Sequence, residues 1–365
     1  MENGVEVVIN HLEPYSLPGV PSKLTLEEIF SIDTEKEEIV KTGLTNIETF
    51  AVAPSGEIFI MMRESHDNFI YRFDSSGKFL NSFGRKGQGP GEFEYGGGLL
   101  VDDDRRIIAK DMTQDKYSVF SEDGALIKEV RLDKNISILK LLGNGNVLTL
   151  WQESDPESPV IRNHFCVSNE ILSENMEFYM TENENPFRSK RYVPNIGSLC
   201  LVDGSLGNVI LGDSSKGYEI AVLDQSGKPL RKIRKAFRPI PFPQDYVALA
   251  KKSLSRSPIG LDILRKLSVP AQLPPFRYLF TDDRGRLYVM THERDGERHY
   301  WYDVFSEQAA FIGRFKLDNV QVTYFEDRRF FDTPTAVLVK GDRLYYVRES
   351  PDGFMALAVY RMVWN

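Results

Sequence analysis

Two cysteines in 365 residues, Cys166 and Cys200, are too few for a disulfide framework or a multi-cysteine zinc site. Both sit in apolar alternating stretches, HFCV and SLCLV, where a free cysteine behaves as a small hydrophobe. Histidine is almost as sparse. The five present (His11, His66, His164, His292, His299) show no HExxH or other paired ligand spacing. No run approaches the ~18 apolar residues of a membrane helix. The segment MENGVEVVIN has neither the basic nor the apolar part of a signal peptide. That pattern fits export with the signal absent from this chain, or alternatively a cytoplasmic protein. An excess of positive charge is missing too: the formal charge is −8 and the pI near 5.4. Nucleic acid, which needs a basic footprint, is therefore not an expected partner. The short run Arg231, Lys232, Arg234, Lys235 reads as a solvated strand end.

What is present is ordinary globular material, 41% apolar and 27% charged, organised by a repeat. An apolar alternating run, a tight polar turn and a second such run recur six times. The copies are Thr49 to Met61, Leu99 to Lys110, Leu139 to Trp151, Leu199 to Gly212, Tyr278 to Met290 and Ala336 to Arg348. Period-two alternation predicts strands, and Gly, Asn, Asp or Ser in the middle supplies the positive φ of a tight turn. Most copies are followed by a second hairpin, such as Ile70 to Phe83, Tyr117 to Val130, Tyr218 to Ile233 and Tyr302 to Phe315. Two hairpins make four strands, which is one propeller blade.

The expected fold is therefore all-β, a six-bladed β-propeller in a single domain spanning 1–365. Blades are expected at 44–93, 94–134, 135–193, 194–238, 276–319 and 332–365. The last copy ends one strand short, so the N-terminal segment 1–43 is expected to close the ring, by Glu27 to Ile32 or by Glu6 to Asn10. Between blades 4 and 5, residues 239–275 carry apolar residues three and four apart, predicting two short helices. Ser257 followed by Pro258 is a sound start for the second.

The segment FGRKGQGPGEF (Phe83 to Phe93), after a strand ending in GKFL, resembles the blade-joining signature of NHL-type repeats. More narrowly, it is similar to the six-bladed propeller proteins abundant in Bacteroidetes. LPPFRYLFTDDRGRLYV (Leu273 to Val289) is similar to their later blade entry. The resemblance implies export, often as a lipoprotein, and a binding surface. It implies no particular reaction.

Turns inside the hairpins are short and uniform and must share one side of the disc. Connections between hairpins and between blades are long and varied and share the other. Variable loops on a rigid scaffold are where recognition normally resides. On that long-loop face the expected ligand-binding residues are Arg63, Arg85, Gln88, Glu92, Asp111, Trp151, Arg191, Tyr192, Asp213, Arg277, His292 and Arg329. RKGQGPGEF fits neither a Walker loop nor a dinucleotide loop, since a strand follows it. The acidic pairs at Asp102 to Asp104 and Asp282 to Asp283 lack EF-hand spacing and read as turn residues. No GxSxG elbow and no catalytic residue is identified. The expectation is a non-catalytic binding or scaffold propeller for a protein, peptide or glycan, with no cofactor and no membrane span. The alternative is a hydrolase or lyase with a metal-assisted site, calcium above all, at the central channel.

Overall fold

Six sheets succeed one another along the chain, each built on consecutive antiparallel strands that start at the ring's inner edge, and two of them gain a strand from the N-terminal segment. The computed structural model describes residues 1–16, 23–132, 136–169, 172, 175–192, 200–244, 248, 251–252, 254–295, 299–318, 337–349 and 353–365. Two strands, β1 (Glu6–Asn10) and β2 (Leu24–Asp33), precede the first blade. Blade 1 is β3 (Thr49–Val52), β4 (Ile58–Met61), β5 (Asn68–Phe73) and β6 (Phe79–Arg85). Blade 2 is β7 (Gly96–Val101), β8 (Ile107–Asp111), β9 (Lys116–Phe120) and β10 (Leu126–Arg131). Blade 3 has the longest strands, β11 (Ile136–Gly143), β12 (Asn146–Glu153), β13 (Val160–Asn169) and β14 (Asn175–Glu184). Blade 4 is β15 (Cys200–Ser205), β16 (Asn208–Asp213), β17 (Glu219–Leu223) and β18 (Pro229–Lys235). Blade 5 is β19 (Tyr278–Thr281), β20 (Leu287–Asp295), β21 (His299–Phe305) and β22 (Phe311–Asp318). Blade 6 supplies β23 (Val337–Lys340), β24 (Arg343–Glu349) and β25 (Met355–Trp364).

The fourth strand of blade 6 comes from the other end of the chain. β2 pairs antiparallel with β25, from Leu24 opposite Trp364 to Asp33 opposite Ala356. Lys23 and Asn365 exchange backbone hydrogen bonds beyond it. Of the two segments expected to close the ring, Glu27 to Ile32 does so. Glu6 to Asn10 is also a strand, but it lies parallel on the outer edge of β18 as a fifth strand of blade 4.

Apolar strand faces meet between blades, which is why the repeat alternates so strictly. Each of six buried clusters joins one blade to the next, from Tyr71 and Phe73 with Tyr345 and Leu357 (blades 1 and 6) to Tyr288 and Tyr302 with Leu344 and Tyr346 (blades 5 and 6). Burying one such side chain contributes roughly 1.5–3 kcal/mol. Phe280 stacks on Tyr288 at 4.8 Å and Tyr302 on Phe315 at 5.1 Å within this packing.

Turn chemistry sets the register of the outer hairpins. Asp74 Oδ1 accepts from the amides of Ser76 and Lys78, and Asp224 Oδ1 accepts from those of Ser226 and Lys228. Gly77 sits in the first of these turns at φ +87°, where a Cβ would meet the ring of Phe30 at 2.6 Å. Only glycine fits there.

Between blades 4 and 5 lies the helix Pro258–Lys266, capped by Ser257, whose hydroxyl accepts from the Gly260 amide at 3.1 Å. The first expected helix falls largely outside the described residues. The insertion is tied at its neck, where Phe242 N donates to Ala271 O and Leu273 N to Ile240 O. It also grips the connection from blade 3 through Tyr192 N to Lys266 O and Ser268 N to Tyr192 O.

Candidate functional site

Several of the expected long-loop residues make bonds within the scaffold. Arg63 at the end of β4 donates to both carboxylate oxygens of Glu48, at 2.8 and 2.5 Å, and lies over the Tyr95 ring. Asp111 is fully buried. Its carboxylate accepts from the amides of Glu94, Thr113 and Gln114 and from the Thr113 hydroxyl. Burial raises its pKa, but those donors outweigh burial and hold the carboxyl below the usual range. Asp213 caps a short 3-10 turn through the amide and hydroxyl of Ser215 and accepts from Tyr179 Oη at 2.5 Å.

Arg85, Gln88, Glu92 and Asp111 are brought together, at the junction of blades 1 and 2. Glu92 Oε2 accepts from the Gly89 amide at 2.9 Å, and Gln88 donates to Glu94 at 2.6 Å. Lys116, fully buried, donates to Gly89 O and pairs with Glu129, each at 2.9 Å. GQGPGEF is thus a blade joint, its Phe93 packed against Phe69 and Phe120. Arg85 remains exposed.

Arg277 and His292 are also brought together, in blade 5. Arg277 is buried with its guanidinium 4.7 Å over the Tyr300 ring. Burial first, then the charges of Arg277 and Arg294, lower the His292 pKa to about 3, so the ring is neutral. Its Nε2 is buried without a hydrogen-bond partner among the described residues. Trp151 stacks flat on His164 at 3.9 Å on blade 3, with Glu177 at 2.6 Å from His164 Nδ1. Arg191 is exposed beside Tyr192, which the insertion holds. Arg329 lies outside the described residues. Among the described residues no group of three or more potential metal-ligating side chains occurs.

One charge reading needs correction. Lys235, expected at a solvated strand end, is buried and sits 3.3 Å from the carboxylate of Asp303, itself fully buried on β21. Tyr218 donates to Asp303 at 2.8 Å and Arg314 pairs with it at 2.7 Å. Burial, then the Asp303 charge, pushes the Tyr218 phenol well above its ordinary range. The β-strand period carries Lys235 into the blade 4–5 interface, where a carboxylate compensates the charge.

A concavity lies in the ring's centre. A cavity of about 720 Å³ is walled by the innermost strands of all six blades, including Phe50, Leu99, Leu139, Val202, Leu279 and Val337. It reaches the turns that close the inner hairpins, at Asp103, Gly145, Leu206 and Asp283, so it communicates with the short-turn side. It also extends sideways between blades 2 and 3, along Ile108, Tyr117, Val119, Leu141 and Leu172. Among the described residues, that interface holds the smallest of the six inter-blade clusters.

Charge at this end of the channel links blade to blade. Lys140 pairs with Asp203 at 3.1 Å, and Asp203 accepts from the amide and hydroxyl of Thr281 at 2.7 and 2.8 Å. Asp283 accepts from the Gly341 amide at 2.9 Å, and Lys340 donates to Val52 O at 3.1 Å. Burial lowers the Lys340 pKa, with Asp103 and Asp283 acting against it and Lys140 with it. Asp102 and Asp282 are turn residues as expected, accepting from the amides of Arg106 and Arg286. Lys140, Asp203 and Lys340 were missed by sequence reasoning. The one available signal was charge on inward strands that are otherwise apolar.

Residues 30–235 match the model of a family described as DUF5128, 6-bladed beta-propeller. Two solved structures share the fold. A candidate exported protein from Bacteroides fragilis is 16% identical, with 98% of this chain and 99% of that chain covered and a TM-score of 0.50. A duf4221-family member from Bacteroides vulgatus is 11% identical, covering 94% and 100%, with a TM-score of 0.54. No curated protein matches the chain.

Proposed function

We propose a binding function for this chain, which belongs to the DUF5128 family of 6-bladed β-propellers. The propeller is a non-catalytic receptacle that takes a small amphipathic molecule, or the apolar end of a peptide, into its central channel from the short-turn side. The cavity carries this reading. Its volume falls in the ~300–1,000 Å³ range of ligand pockets, and its walls combine aliphatic and aromatic side chains with charged groups, most of them at the short-turn end. Four of those charged groups, Lys140, Asp203, Asp283 and Lys340, bond from one blade to another, which suits a rigid binding shell better than a proton-transfer site. The long-loop face is less well supported, because Arg63, Glu92, Asp111 and Asp213 are occupied in holding loops. Export accords with the description of the Bacteroides fragilis relative. Cell fractionation finding the protein in the cytoplasm would refute that part.

The binding reading is tested with Nile red, an apolar fluorescent probe. Wild type is expected to bind one dye per chain with a blue-shifted emission. Leu141→Trp, which fills the crevice between blades 2 and 3, is expected to lose most of that signal while keeping its β-sheet circular dichroism. Equal dye binding by the folded variant would remove the channel from consideration.

A further inference from the structure

Blade 4 carries a strand that the ring does not need. β2 closes the propeller, yet β1 lies parallel along β18, with Glu6 opposite Arg231, Val8 opposite Ile233 and Asn10 opposite Lys235. Charge and side-chain chemistry both select what lies there. Arg231 Nε meets Glu6 at 2.6 Å, and Arg234 meets the two carboxylate oxygens of Glu2 at 2.5 and 2.7 Å. The two acidic side chains of the arm, Glu2 and Glu6, thus meet basic residues of the edge, Arg234 sharing its guanidinium with Glu219 of its own blade.

Asn10 then reads the end of that strand. It is 1% exposed, and its amide group donates to Arg234 O at 3.3 Å and Ala309 O at 3.1 Å. Its carbonyl accepts from the Phe311 amide at 2.8 Å. Aspartate could not donate these bonds at neutral pH, and an apolar residue would strand two buried backbone groups, Ala309 O and Phe311 N, and a part-buried one, Arg234 O. Tyr15 N donating to Phe311 O continues the chain onto blade 5.

We propose that the β18 edge, together with the end of the blade 5 turn at Ala309 and Phe311, is an acceptor site for an extended acidic peptide bearing asparagine at its end. The chain's own N-terminal arm occupies that site in cis. Strand addition of this kind draws affinity from backbone pairing and specificity from alternate side chains. The arm is displaceable because its ion pairs are solvent-exposed and weak, and because Asn10 is its one fully buried anchor among β1 residues.

The test uses a fluorescein-labelled peptide of residues 1–15 and full-length chains, read by fluorescence polarisation. Asn10→Ala loosens the arm in cis while the peptide keeps its own asparagine, so this chain is expected to bind the peptide at least tenfold more tightly than wild type. Raising the salt concentration is expected to weaken binding. A peptide with alanine in place of its asparagine is expected to fail on both chains. A second variant, Glu2→Lys with Glu6→Lys, leaves the buried anchor untouched and is also expected to expose the site. The proposal is overturned if neither variant binds better than wild type, or if the alanine peptide binds as well as its parent. Neither result bears on dye binding in the channel.

Discussion

Lys140 on the innermost strand of blade 3 and Asp203 on that of blade 4 meet at 3.1 Å across the inter-blade gap. The same carboxylate reaches blade 5 through the amide and hydroxyl of Thr281, so one buried group joins three sectors of the ring. Replacing it with alanine leaves a lysine and a backbone amide without their partner. Lys140 is partly exposed, so the main loss is the pair of hydrogen bonds from Thr281, and Asp203→Ala is expected to cost about 2 kcal/mol. Denaturant unfolding measures this, and a loss below about 0.5 kcal/mol, the scatter of ordinary surface changes, would show the link is dispensable.

Ile32 in β2 and Leu357 in β25 are opposite each other and fully buried where the two chain ends meet. If this pairing closes the ring, Ile32→Ala is expected to destabilise the whole propeller by roughly 2–5 kcal/mol in one cooperative transition. Loss of blade 6 alone, seen by hydrogen exchange with the other blades still protected, would contradict that.

Asp111 makes acid stability depend on the blade 1–2 junction. Its folded pKa is depressed, so it contributes stability above the unfolded value near 3.9, and this is lost as pH falls through the lower folded value. Asp111→Asn is expected to be less stable than wild type at neutral pH, with the difference shrinking below about pH 4. A gap that stays constant down to acid unfolding would count against the assignment.

His292 acts in a different window. With a folded pKa of about 3, the unfolded chain binds the extra proton between that value and the ordinary ~6.5. Stability therefore rises with pH across this interval and is fully present above it. The His292 ring proton is expected not to titrate between about pH 5 and 8 in NMR spectra. His292→Phe should flatten the pH dependence. A His292 titration near 6.5 would mean the ring is solvated.

Blade architecture was legible because each blade is a local object. Hairpins such as Thr49 to Met61 need only alternation and turn residues within about a dozen positions, and both are written in consecutive residues. Ser257 and Pro258 marked a helix start for the same reason, since a cap bonds within its own first turn. The channel charges were not legible. Lys140, Asp203, Thr281 and Lys340 lie far apart in the chain and meet only when blades pack. The bonds of Asp111 and Asp213 to loop amides were not legible either, because those amides converge only once the loop has a shape.

By itself the sequence determined the number of blades, the strand faces that must be buried and the turns that join them, because those follow from periodicity and backbone preference. Tertiary structure alone decided that β1 goes to blade 4, that Lys235 is buried against Asp303, and that the central cavity communicates with the short-turn side. Each of these depends on which surfaces face each other around the ring, and contact between distant residues is a property of packing.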